Sequence, residues 1–493
     1  LCGQLESIGM FKRVIADFLM AENKQHVMLV AFLDQRGLRS PWRSVRVRCA
    51  YLITPLIKSH RKTLVPHTEQ LLAQFADLLQ LPCEPDPSIN IPHCGSCKVG
   101  DQLKHDNPPG PLLSVTETSF LYEAAAQLIA AGGTVSTPVV TTNEVGTVED
   151  RAGHLFRMLL APVFAQYGQL VELYVSESDP KTAEARGRLT KQAADLITRT
   201  SRVFSQPKSV LTPTCQAVLC EALQIMLTGL TRFPSEAWAP GRAAACAGVR
   251  AFLHRMVACL GPSSPTEQPS DSNHVSEILL AALIQAVPQL VRPLQVHHRL
   301  NGWANGGVLP NVADAEQRWH EIRDVIPLIT QVILRYKPLS SILAQVEACI
   351  DADDPLGLRS GLLLFLQLIQ LNANDNQFYE NFLLSQLVPF CVVAPTRPNF
   401  RLTDAQFGLA LNEVGNCLFV LAQKQPGLCS FLQNVFLPGQ QLSNDLIQSY
   451  VGTLKAHNVK DFCTFLRGLC DSADSLEAGD AKTSTRFVSR PEY

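Results

Sequence analysis

Apolar residues recur at helical spacing through most of this chain, and short runs of glycine, proline and polar residues separate the recurrences. Over residues 5–81 the pattern predicts a series of short, one-sided helices, with turns near 22–25, 37–41 and 59–66. Periodicity returns over 115–131, where Phe120, Ala124, Leu128 and Ala131 share a stripe, and again over 148–176, 186–204, 215–232 and 243–260. Beyond 277 the pattern remains helical, with predicted helices at 316–337, 342–351, 357–371, 378–389, 404–424, 445–456 and 461–470. No alternation of strand and helix interrupts the series, and neither a GxGxxG nor a GxxxxGK element occurs.

So many amphipathic helices joined by short turns imply an all-α fold, an α-solenoid of degenerate HEAT-type helix pairs wound as a curved superhelix. The repeats are inferred from period and pairing rather than from sequence identity. Residues 1–81, 115–260 and 277–470 are expected to hold helical repeats. The stretch 82–114 is a loop rich in proline, glycine and cysteine, 261–276 a flexible loop, and 471–493 a disordered tail without apolar periodicity.

Composition supports packed helices. Hydrophobic residues make up 46% and aromatic residues 7%, so leucine and alanine carry the core. No run reaches the roughly 18 uninterrupted apolar residues of a membrane span, and no membrane insertion is expected. Most of the 15 cysteines fall on helical stripes, which suits buried thiols in a reducing compartment. The chain starts at Leu1 without a signal layout, and we read it as a fragment.

The near-neutral net charge of −2 conceals segregation. Residues 1–62 hold 11 Lys and Arg against 4 Asp and Glu, and 181–255 again hold 11 against 4, while 63–180 hold 4 against 14. Two basic blocks on one face would attract a polyanion.

The densest block lies in 28–62. Trp42, Val45, Cys49, Leu52 and Leu56 fall within an arc of about 80°, the stripe a helix buries. Arg43 and Arg46 project away from it, and Arg36 and Arg39 stand in the preceding turn at Gly37 and Pro41. Guanidinium groups so gathered suit phosphate. Arg46 has a competing role, because a Val-Arg pair at this point of a HEAT helix often holds an acidic group of the next repeat. The candidate RNA-binding set is Arg36, Arg39, Arg43, Arg46, Arg48, Lys58, Arg61 and Lys62, with Arg199 and Arg202 from the second block.

Other chemistry is sparse. Cys83, His93, Cys94 and Cys97 are the one weak zinc candidate, with a single CxxC and no second ligand pair at zinc spacing. Asp351, Asp353 and Asp354 lack the glycine and glutamate of a calcium loop and are better placed to cap the helix starting near Pro355. No nucleophile elbow, HExxH or protease signature is present, so neither catalysis nor a cofactor is expected.

The segments VMLVAFLDQRGLRSPWRSVRVRCAYLITPLIKS, SFLYEAAAQLI, ITRTSRVFS, GVRAFLHRMVACL and PFCVVAPTRPNFRLTDAQFGLALNEV resemble, in order, the exportin-t family of tRNA exportins within the karyopherin-β proteins. The resemblance spans residues 5–470 and corresponds to the family's C-terminal half. It implies a monomeric receptor shuttling between nucleus and cytoplasm. Such a receptor binds tRNA together with Ran-GTP, contacts nucleoporins of the nuclear pore, and releases the tRNA after GTP hydrolysis. RNA of this kind is held by shape, phosphate and 2′-hydroxyl contacts. The alternative is a karyopherin for a basic protein cargo, or a helical-repeat scaffold, drawn to the acidic 63–180 block.

Overall fold

Local sequence sets several helix starts. Ser114 and Glu117 form a reciprocal capping box, the Ser114 N–H donating to Glu117 Oε2 at 2.9 Å and the Glu117 N–H to Ser114 Oγ at 3.4 Å. Asp179 accepts from the N–H and hydroxyl of Thr182, at 2.8 and 2.7 Å, and these bonds lower its pKa. Thr212, with Pro213 behind it, accepts from the Cys215 N–H, and Ser443 accepts from the Leu446 N–H. Asp354 caps as the sequence suggests, accepting from the N–H groups of Leu356 and Gly357.

The computed structural model describes residues 32–79, 113–133, 151–204, 212–235, 239–261, 273–300, 312–336, 354–371, 379–396, 400–425, 427–440, 442–456 and 458–477. Its elements are α1 (Arg43–Leu64), α2 (Thr68–Phe75), α3 (Val115–Gly133), α4 (Arg151–Val175), α5 (Pro180–Phe204), α6 (Pro213–Arg232), α7 (Arg242–Leu260) and α8 (Asn273–Leu300). They continue as α9 (Val312–Tyr336), α10 (Pro355–Leu371), α11 (Val388–Val393), α12 (Ala405–Lys424), α13 (Gly427–Phe431), α14 (Asn444–Lys455) and α15 (Val459–Glu477). No strand occurs among the described residues. The predicted helix 342–351 and most of the 82–114 loop lie outside them.

The chain divides into two units, Leu1–Pro293 with Gln331–Lys337, and Leu294–Thr330 with Pro338–Tyr493. In the first, α1, α3, α5 and α7 lie side by side in one row, each touching the next but one in sequence. Helices α2, α4 and α6 form a second row packed on the first, with α4 against α6. That next-but-one adjacency is the mark of stacked helix pairs, and the all-α solenoid expected from the sequence is borne out.

Bulky side chains lock the rows. Phe156 of α4 and Phe204 of α5 bring their ring centroids to 4.0 Å. Tyr122 donates to the Leu79 carbonyl and Tyr174 to that of Pro240, each at 3.0 Å, so burial, which raises both phenol pKa values, leaves neither hydroxyl unpaired. Small residues set the spacing of α5 and α7. A Cβ on Gly187 would meet the Gly241 carbonyl oxygen at 2.3 Å, and Gly241 itself holds φ at 79°, a conformation that favours glycine.

In the second unit α10, α12 and α15 lie side by side, with α11, α13 and α14 against them. Two π-helical stretches, Tyr379–Leu387 and Leu432–Phe436, each run into a proline, Pro389 and Pro438. The wide turn eases the missing N–H and the ring there, whereas Pro55, Pro162 and Pro327 stand inside α1, α4 and α9. Arg323 of α9 holds the buried Asp354 carboxylate from two nitrogens, at 3.0 and 3.2 Å.

Several expectations need correction. The buried face of α1 is Cys49, Ala50, Ile53, Leu56 and Ile57, while Trp42 is 66% exposed. Trp42 precedes the helix, so the 100° projection does not apply to it. The helical run beginning at Gly427 has no counterpart in the predicted series, and α15 continues to Glu477 into the stretch expected to be disordered. By length and composition α7 and α12 would pass as membrane spans, but half of each apolar window is buried in the fold, because both helices are flanked on two sides by neighbours.

Candidate nucleic-acid interface

The two basic blocks of the first unit meet across α3. On one side the α1 ring of Tyr51 stands edge-on to Phe120, with centroids 5.8 Å apart and planes at 90°, and the Thr54 hydroxyl donates to the Phe120 carbonyl at 3.0 Å. On the other, Arg199 of α5 donates to the hydroxyl of Ser119 at 3.2 Å. Adjacent residues of α3 are thus held by opposite neighbours. The α3 helix itself is almost wholly buried, with Phe120 and Glu123 half-exposed between them.

Helical geometry fixes what α1 and α5 present. With Ala50, Ile53 and Ile57 inward, Ser44, Val47, Arg48, Tyr51 and Lys58 form the exposed stripe of α1, and Arg43 stands exposed at its start. On α5 the exposed positions are Pro180, Lys181, Glu184, Arg188, Arg199 and Arg202. Arg43, Arg48 and Lys58 make no hydrogen bond or ion pair to any described residue. Helix α1 has no acidic residue in its first turn and none elsewhere along its length.

The remaining predicted arginines are tied into the scaffold. Arg39 donates to the carbonyls of Leu33 and Gln74 and to the Asp77 carboxylate, with Nε 3.0 Å from Oδ2, and so fastens the turn before α1 to the end of α2. Arg46 donates to the carbonyls of Ser40 and Pro41, at 2.8 and 3.1 Å. It braces its own turn and meets no acid of a neighbouring repeat among the described residues. The inter-helix Arg–Asp pair appears instead at Arg323 and Asp354. Arg36 is exposed and chelates Asp34, whose pKa its hydrogen bonds lower. The side chains of Arg61 and Lys62 lie outside the described residues, although α1 passes through both.

The second row behaves differently. Arg151 of α4 reaches Glu69 of α2 at 2.7 Å, Arg157 of α4 reaches Glu221 of α6 at 2.7 Å, and Arg232 of α6 grips Glu172 of α4. Each cation is matched by an acid one repeat away. Their spacing in sequence, 82, 64 and 60 residues, hides these pairs from a linear reading. On α5 Lys191 pairs with Asp195 and Arg188 with Glu184 within the helix, while Arg186 reaches Glu177 just beyond α4 at 2.8 Å.

Among the described residues no group of His, Cys, Asp and Glu could hold a metal, and Cys83, His93, Cys94 and Cys97 lie outside them. What the α1 side of this face offers is positive charge, on Arg43, Arg48 and Lys58, without partners among the described residues, beside an exposed ring. A phosphate arriving there breaks no existing ion pair, whereas one arriving at the second row would compete with carboxylates.

Residues 370–474 match the family model described as Exportin-T. The chain is 26% identical over 477 residues to Exportin-T of Homo sapiens and 25% identical over the same length to that of Mus musculus, covering 90% of this chain and 45% of each relative. Exportin-T of Laccaria bicolor is 21% identical over 490 residues, covering 90% of this chain and 43% of the relative. The chain therefore spans less than half the length of these relatives. The resemblance read from its segments is borne out along nine-tenths of the chain.

Proposed function

We propose that this chain is the RNA-gripping part of a nuclear export receptor that loads tRNA together with Ran-GTP in the nucleus. The receptor crosses the pore on nucleoporins as a monomer and releases the tRNA in the cytoplasm. The reading rests on the Exportin-T similarity and, among structural observations, on the cationic face of α1 and α5 set either side of α3. In it Arg43, Arg48, Lys58 and Arg199 take backbone phosphates, with Arg36 and Arg202 at the margin. Arg39 and Arg46 hold the turn that starts α1. Exposed cations carried on rigid neighbouring helices match a ligand of fixed shape, as structured RNA is. The chain acts as a receptor and contributes no catalysis.

The test is capture by the full-length receptor from a mixture of tRNA and basic proteins, with Ran locked in its GTP form. Recovery of tRNA, lost when Ran carries GDP, is the expected result. Recovery of basic proteins without tRNA would overturn the reading and favour a protein cargo.

A further inference from the structure

The α1 stripe carries something a plain phosphate clamp does not need. Tyr51 is 50% exposed and Val47 42% exposed, although the core face of the same helix is complete without either. A half-exposed ring on a helix surface commonly lies down against its own helix. This one is held from the side instead, by the edge contact with Phe120 and by the Thr54 bond that ties the two helices at the same point. One helical turn before it comes Arg48 and two turns after it Lys58, both without described partners. Across α3, Arg199 is anchored on Ser119, the neighbour of Phe120.

An aromatic ring fixed in orientation and flanked by unpaired cations is the arrangement that takes a base on the ring and its phosphates on the cations. Paired RNA does not fit it, since bases in a stem are already stacked on each other and present only backbone at the surface. We propose that Tyr51 is a stacking platform for one unpaired base. The α1–α3–α5 face would then require an RNA with a single-stranded nucleotide beside its helical part. Arg48 and Lys58 would hold the phosphates on either side of that base, and Val47 would pack against its edge. This rests on the reading that the face binds RNA, and it adds which part of the RNA is read there.

The experiment compares two probes on the full-length receptor with Ran-GTP. One is a tRNA and the other a blunt, fully paired RNA duplex with the same number of phosphates. Tyr51→Ala should weaken tRNA binding by roughly 5- to 100-fold, as expected for one lost base–aromatic stack, with the duplex unchanged and the salt dependence of both unaltered. Tyr51→Phe, which keeps the ring, should bind as the parent does. A Tyr51→Ala protein that binds both probes as the parent does would overturn the platform, as would one weakened equally for both, the mark of disturbed α1–α3 packing. The underlying RNA reading fails separately, if Arg48→Ala and Lys58→Ala leave both probes unaffected.

Discussion

Helix α1 and the second row of the first unit carry similar side chains to different ends. Along α2, α4 and α6 every inter-helix guanidinium described above meets a carboxylate from the adjoining repeat, whereas along α1 the cations Arg43, Arg48 and Lys58 meet none among the described residues. Exposed pairs of the first kind contribute about 0–1 kcal/mol each and serve mainly to register one repeat on the next. Cations of the second kind contribute nothing to the fold, and like charges along one helix cost a little. Composition does not separate a surface that stabilises from one that waits for a ligand; the location of the carboxylates does.

Paired arginines have a strong limit, and the largest effect is expected there. Asp354 is buried, caps α10 and holds Arg323, so Asp354→Ala removes a cap and strands a partly buried guanidinium. A loss of about 3 kcal/mol or more in denaturant unfolding is expected, against less than about 1 kcal/mol for Glu69→Ala, which breaks an exposed pair. A smaller effect should follow from moving α5, the second support of the unpaired face. Gly187→Ala places a methyl group against the Gly241 carbonyl and should cost about 1–3 kcal/mol. It should also lower RNA affinity, by shifting Arg199 relative to α1.

Much of this architecture is readable in the linear chain. The apolar stripes locate most helices, and Asp354 marks the start of α10, because capping and amphipathicity are local; the cap at Asp179 starts α5 at Pro180, ahead of the predicted 186. The run at Gly427 escaped because a π-helical stretch shifts its periodicity. The site was half legible. Arg43 is exposed as its spacing suggests, and Arg48 and Lys58 of the candidate set are exposed with it, but Arg46 folds back on its own turn and the engagement of Arg39 by Asp77 depends on where a distant segment comes to rest. Tyr51 is not marked out by the linear pattern, since a tyrosine among apolar residues reads as core until the face of α1 is known. The burial of α1 is turned toward Ile53 and Ile57 because α3 approaches from that side.

The smallest expected effect concerns His60, at the break in α1 two residues beyond Lys58, whose pKa burial pushes down. The neutral form is favoured in the folded chain, so stability is complete above the unfolded imidazole's pKa of about 6.5 and falls as pH drops below it. Thermal unfolding between pH 7.5 and 5.5 should show a decline that His60→Gln reduces. A decline unchanged by the substitution would assign it to other groups.

The difference between the α1 face and the second row is tested most directly by the salt dependence of tRNA binding in the full-length receptor with Ran-GTP, measured for two triple variants. Replacing Arg48, Lys58 and Arg199 by alanine should flatten the slope of log affinity against log salt by roughly 2 to 3, while replacing Arg151, Arg157 and Arg232 should leave it unchanged. Equal slopes for the two variants, or a larger change from the second, would mean that the unpaired cations of α1 are not where the RNA lies.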